Sequence, residues 1–186
     1  MLTFDKKYEV IERVENYGGF LLVRQLQPDD NLVNYPDDKV IADIIASKFH
    51  HWQGEKEAEG ITVQMSSTDK NKNTKTWTLS NHKFYGFFDN NKINPEHYKL
   101  ISLATFNDKL FQAINEQADY DKLFIDKANE IIKGRFNDLS KIYFLDLDKE
   151  INSDLLADWQ VYDFFYAFIA LDRQKNLVTL IEFGLD

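Results

Sequence analysis

A chain of 186 residues with 44% hydrophobic, 15% aromatic and 28% charged side chains has the makeup of one ordinary globular domain, long enough to bury a core without a disulfide or metal staple. It contains no cysteine, which excludes thiol catalysis, cysteine-bound zinc and iron–sulfur clusters. A formal net charge of −9 is the wrong sign for a domain that grips nucleic acid by neutralising phosphates.

The opening segment supports two patterns. Phe4, Tyr8, Ile11 and Val14 recur at helical spacing, with Glu9 and Arg13 four residues apart and Gly18 placed as a C-cap. Tyr8, Val10 and Val14 also alternate as on a strand that turns at Tyr17-Gly18-Gly19 into Phe20–Leu26. Helix followed by strand is the favoured reading. Pro36, Asp37 and Asp38 then open a clearer helix, with Val40, Ile41, Ile44, Ile45 and Phe49 on one stripe and an end expected near His51–Gly54.

Beyond it, Ile61, Val63 and Met65 alternate with polar residues, as do Trp77 and Leu79. The polar run Asp69–Asn73 between them predicts two antiparallel strands joined by a loop. Phe84, Tyr85, Phe87 and Phe88 suggest a third strand. Asn94-Pro95-Glu96 reads as a helix start, although Lys99–Thr105 is also compatible with extended chain. Asn107-Asp108 is a candidate cap for a helix burying Leu110, Phe111 and Ile114. Asp119 or Asp121 could cap another, with Leu123, Phe124, Ala128, Ile131 and Ile132 on its apolar face and Gly134 past its end. Ile142, Phe144 and Leu145 look like a buried strand.

The C-terminus carries the strongest local signal. Val161–Leu171 is apolar on both faces, Asp172–Asn176 is a turn, and Leu177–Phe183 is a second strand. Such a hairpin must lie centrally in a sheet, or have one face covered by helices and the other by a partner. The fold class is therefore α+β, an antiparallel β-sheet with helices packed mainly on one face, in a single domain covering residues 1–186.

Nucleotide and hydrolase motifs are missing: there is no G-x-x-x-x-G-K-[ST], no G-x-G-x-x-G and no G-x-S-x-G. His50 and His51 lie beside Glu55 and Glu57, but adjacent residues on a helix point about 100° apart, so the two imidazoles do not converge on one ion. His82 and His97 stand alone. Asp146, Asp148, Glu150 and Asn152 alternate like a calcium loop, yet Ile151 stands where the loop needs glycine and Ala157 where it needs glutamate. No metal and no cofactor are expected. The start, MLTFDKKYEV, has no signal-peptide apolar region, and Phe164–Leu171 is far shorter than the ~20 residues of a membrane helix. The expected location is the cytoplasm, without membrane contact.

The acids between Asn137 and Asp163 matter more as a group: seven stand against two bases, so this segment is locally strongly acidic. Asp146, Asp148, Glu150, Asp154, Asp158, Trp159, Tyr162 and Asp163 mix carboxylates with large aromatics, as a surface meeting a basic partner would. Asp163 interrupts an otherwise apolar strand, and a carboxylate there must be paired, neutral or exposed. The functional expectation is a protein-binding inhibitor, such as a bacterial immunity protein that neutralises a basic, nuclease-like toxin. Two other classes fit the composition: a metal-independent or metal-assisted small-substrate enzyme, using His50 or His51 with Glu55 or Glu57, or the Asp146–Asp163 acids, as general acid and base, and a non-catalytic adaptor or scaffold.

Overall fold

The computed structural model describes residues 2–16, 19–47, 62–65, 75–78, 84–85, 88–116, 122–133, 135–136, 140–148, 150–156 and 164–185. In chain order the strands and helices are β1 (Phe4–Asn16), β2 (Gly19–Pro28), α1 (Asp37–Ala46), β3 (Thr62–Met65), β4 (Lys75–Thr78), β5 (Phe84–Tyr85), β6 (Phe88–Asp89), β7 (Tyr98–Ile101), α2 (Leu103–Glu116), α3 (Lys122–Ile132), β8 (Lys141–Leu145), β9 (Phe164–Asp172) and β10 (Leu177–Leu185). Six strands form one sheet in the order β1-β2-β10-β9-β8-β7, every pair antiparallel. The chain is thus α+β, as its patterning indicates.

The apolar C-terminal hairpin occupies the middle of this sheet, and the reason is visible in its alternation. Phe165, Ala167, Ile169 and Leu171 of β9 face one core, with Val178 and Leu180 of β10 and Val40, Ile41 and Ile44 of α1. Phe168 and Ala170, with Ile181 and Phe183, face a second core filled by Phe106, Leu110, Ala113 and Ile114 of α2 and Phe124, Ile125 and Ala128 of α3. Both faces of the two central strands are covered, so neither shows the polar alternation of a half-exposed sheet. The two longer helices share one face; the shorter α1 lies on the other with the buried side chains of Leu2, Leu32, Phe88 and Ile93.

Several local expectations change. The first segment is a strand, paired in register from Val10↔Gln25 to Asn16↔Gly19, with an irregularity between Asp5 and Val10. Its helical spacing is overridden by pairing to β2, which supplies a long ladder that an isolated helix of this length in water cannot match. α1 stops at Ala46, where the Ser47 amide closes onto Asp43 and Ile44, so it does not run on to His51–Gly54. Asn94-Pro95-Glu96 starts only one 3-10 turn, Pro95–His97, before the chain extends as β7. α2 begins at Leu103, before Asn107: the Ser102 hydroxyl accepts from the Thr105 amide at 3.0 Å, a serine N-cap. Phe111 and Leu123, expected in the core, are 58% and 63% exposed, whereas Phe106 and Ile125 are buried.

The paired strands around residues 61–80 are present as β3 and β4, in register from Thr62↔Thr78 to Met65↔Lys75. The single strand expected at Phe84–Phe88 is instead the two-residue pair β5–β6, with Tyr85 opposite Phe88. The turns at 17–18 and 69–73, the caps at Asp119 and Asp121, Gly134, and His50, His51 and His82 lie outside the described residues.

Candidate functional site

The acidic segment leaves the sheet at the end of β8 and forms a loop with a defined internal frame. The Asp146 amide donates to the His97 carbonyl at 2.9 Å, tying the loop to the 3-10 turn before β7. One oxygen of Asp148 accepts from the amides of Glu150 (2.7 Å) and Ile151 (3.1 Å). The Asn152 side-chain oxygen accepts from the Asp148 amide at 2.9 Å, and the Asn152 amide donates to the Asp148 carbonyl at 2.7 Å. Short polar side chains bonding nearby amides are what hold such turns without regular structure.

A 3-10 turn over Ser153–Leu155 follows, and Leu147, Leu155 and Leu156 pack onto the α1-side core. Leu156 bridges Phe88, and the Lys92 ammonium donates to the Asp154 carbonyl at 2.7 Å. The leucines anchor the loop and the carboxylates turn outward: Asp146, Asp148, Glu150 and Asp154 are all exposed. Ile151, 80% exposed, stands among them. Sequence reasoning placed Ile151 only as a residue unfit for a calcium loop; the signal it missed is an isoleucine in a polar turn bracketed by acids. Asp158, Trp159, Tyr162 and Asp163 lie outside the described residues, so the structure brings together the first four predicted residues and is silent on the other four.

A second polar cluster sits at the start of α1. Asp37 accepts from Lys141 at 2.6 Å, from the Tyr143 hydroxyl at 2.5 Å and from the Arg173 guanidinium. Burial pushes the Asp37 carboxyl up, but the hydrogen bonds from Lys141, Tyr143 and Arg173 outweigh it and hold the group at about 2. Burial, reinforced by the hydrogen bond to Asp37, raises the Tyr143 phenol well above its ordinary value. Arg173 also donates to the carbonyls of Leu32 and Tyr35, the latter at 2.8 Å. An open cleft of about 520 Å³ lies over this cluster, lined in part by Val33, Tyr35, Lys141 and Arg173. Its guanidinium is committed to the chain itself, so the cluster reads as a junction between α1, β8 and the β9–β10 turn. No sequence signal pairs these residues, because Asp37 meets Lys141 and Arg173 across 104 and 136 positions.

Among the described residues no three His, Asp or Glu side chains are placed to share an ion. His97 uses Nδ1 to accept from the Asn94 amide, closing a capping box. No described helix is long and apolar enough to cross a membrane. Comparison with known protein families, curated proteins and solved structures finds no match to this chain.

Proposed function

We propose that this protein is a binding inhibitor that uses the 146–156 loop against a basic protein, in the manner of an immunity protein neutralising a nuclease-like toxin. The observation that supports this reading is the loop itself: four exposed carboxylates around the exposed Ile151, on a backbone fixed by the Asp148 and Asn152 bonds. A fixed loop loses little conformational entropy on docking. Its charges attract a cationic surface over about 8 Å at physiological salt, whereas an apolar side chain acts at contact. The acids thus govern encounter, and Ile151, with Trp159 or Tyr162 if they share the face, governs residence.

The test is to isolate the partner from the native host and follow association by stopped flow at several ionic strengths. A basic partner is expected, with an association rate that falls as salt rises. The triple change Asp146→Asn, Glu150→Gln, Asp154→Asn should lower k_on by about tenfold or more and flatten its salt dependence. Ile151→Ala should chiefly raise k_off. An acidic partner, or rates indifferent to salt, would refute the electrostatic mechanism.

A further inference from the structure

Glu182 lies on β10, in the centre of the sheet, and is 2% exposed. Across the ladder it stands level with Leu22 on β2 and Ala167 on β9. Those residues and Leu180 belong to the α1-side core, so an ionisable group sits where the pattern calls for an aliphatic one. Among the described residues its Oε1 has no hydrogen-bond partner. A carboxylate in such a place must either be compensated or give up its charge, because removing an anion from water costs far more than removing the neutral acid.

Arg24, 5% exposed on β2, is level with Leu180 and so diagonal to Glu182. β9 presents Phe165, Ala167 and Ile169 on this face and no titratable group. On α1, Lys39 and Asp43 are paired with each other. On β1, Arg13 is level with Leu22, two strands from Glu182. Arg24 is thus the charged residue on the neighbouring strand β2 that acts on Glu182, and it offers no bond to Oε1.

We propose that Glu182 enters the folded core as a neutral carboxylic acid, so that folding takes up a proton and the six-stranded sheet weakens as pH rises. The burial that dictates this pushes the group up to about 8, with Arg24 pulling the other way. Below its unfolded value of 4.5 both states hold the proton, and the group contributes nothing. Between 4.5 and about 8 only the folded state keeps it, so each pH unit favours unfolding by up to tenfold. Above about 8 the slope ends and the penalty stays constant.

The experiment is denaturant unfolding of the full chain from pH 5 to pH 9, for the wild type and for Glu182→Gln, which keeps the shape without the titration. The wild-type unfolding constant should rise by up to tenfold per pH unit up to about pH 8. Glu182→Gln should match the wild type near pH 5, lack most of that slope and be the more stable protein by at least 100-fold above pH 8. A flat wild-type profile, with Glu182→Gln less stable at every pH, would mean that Glu182 and Arg24 are an ion pair, and would overturn the proposal. Infrared spectroscopy of the folded wild type gives a readout independent of any variant's folding. A protonated-carboxyl band persisting at pH 6.5 and lost near pH 9 supports the assignment; its absence at pH 6.5 refutes it.

Discussion

Asp37 illustrates how one side chain can join distant parts of a chain. It opens α1, where a negative charge complements the helix N-terminus, and accepts from Lys141 and Tyr143 of β8 and Arg173 of the β9–β10 turn. Its folded value of about 2 lies below the unfolded 3.8, so its stabilisation is complete above about pH 4 and is lost as pH falls toward 2. Asp43 acts in the same direction: burial raises it, but Lys39 and the Leu2 amide lower it further. Asp37→Asn should therefore destabilise the protein at neutral pH and flatten the acid limb of its stability profile, measured by denaturant unfolding between pH 2 and 6. An unchanged acid limb would show that the contacts around Asp37 are not ionic. Arg173→Ala removes a charged donor from two carbonyls and a carboxylate and should cost about 2–3 kcal/mol. Arg173→Lys should recover only part of that loss, since an ammonium cannot reproduce the planar fork.

At the scale of elements, the β9–β10 turn has work beyond reversing the chain. Asn176 is the described non-glycine residue with positive φ, at 52°. Its side-chain oxygen accepts from the Leu32 amide at 2.8 Å, and its nitrogen reaches the Pro28 and Asp30 carbonyls at 3.4 and 3.3 Å. Asparagine tolerates the left-handed region and supplies the three bonds; glycine satisfies only the first demand. Asn176→Gly should thus cost about 1–2 kcal/mol from lost bonds. Asn176→Ala should cost about 1 kcal/mol more, because its Cβ opposes the backbone. Equal losses in thermal or chemical unfolding would remove the backbone part of this account. The same turn positions residues 28–37 and through them the start of α1, so both variants should also loosen amide protection at the first turn of that helix.

For the whole molecule, one sheet carries two cores. Phe106 packs at 5.0 Å on Phe168 and 4.8 Å on Phe136, on the α2–α3 side, while Leu32 is buried on the α1 side. Because β9 and β10 contribute alternate residues to both, losing either core exposes one face of the same strands. Phe106→Ala should cost about 3–5 kcal/mol and Leu32→Ala about 2–5 kcal/mol. Both should shift one common transition, seen alike by far-ultraviolet circular dichroism and aromatic fluorescence. Two separate transitions would show that the faces fold independently. The acidic loop lies outside these cores except for its leucine anchors, so its charge variants should leave that transition within about 0.5 kcal/mol.

Composition and period-2 patterning determined the α+β class, the central place of the β9–β10 hairpin, and the buried strand β8. These are local properties: a segment apolar on both faces has no stable position except between two covering layers, whatever the rest of the chain does. The acidic character of residues 146–154 was equally legible, since charge is a property of composition. Tertiary structure alone decided that residues 4–16 are a strand, because their helical and alternating patterns are both present and only the ladder to β2 separates them. It also decided that Phe111 and Leu123 face outward, since a helix stripe shows which residues are apolar but not which the sheet covers. The Asp37–Arg173 junction and the buried acid Glu182 belong to the same category. Each depends on which side chains arrive from strands and turns far along the chain, and on how completely water is removed when they do.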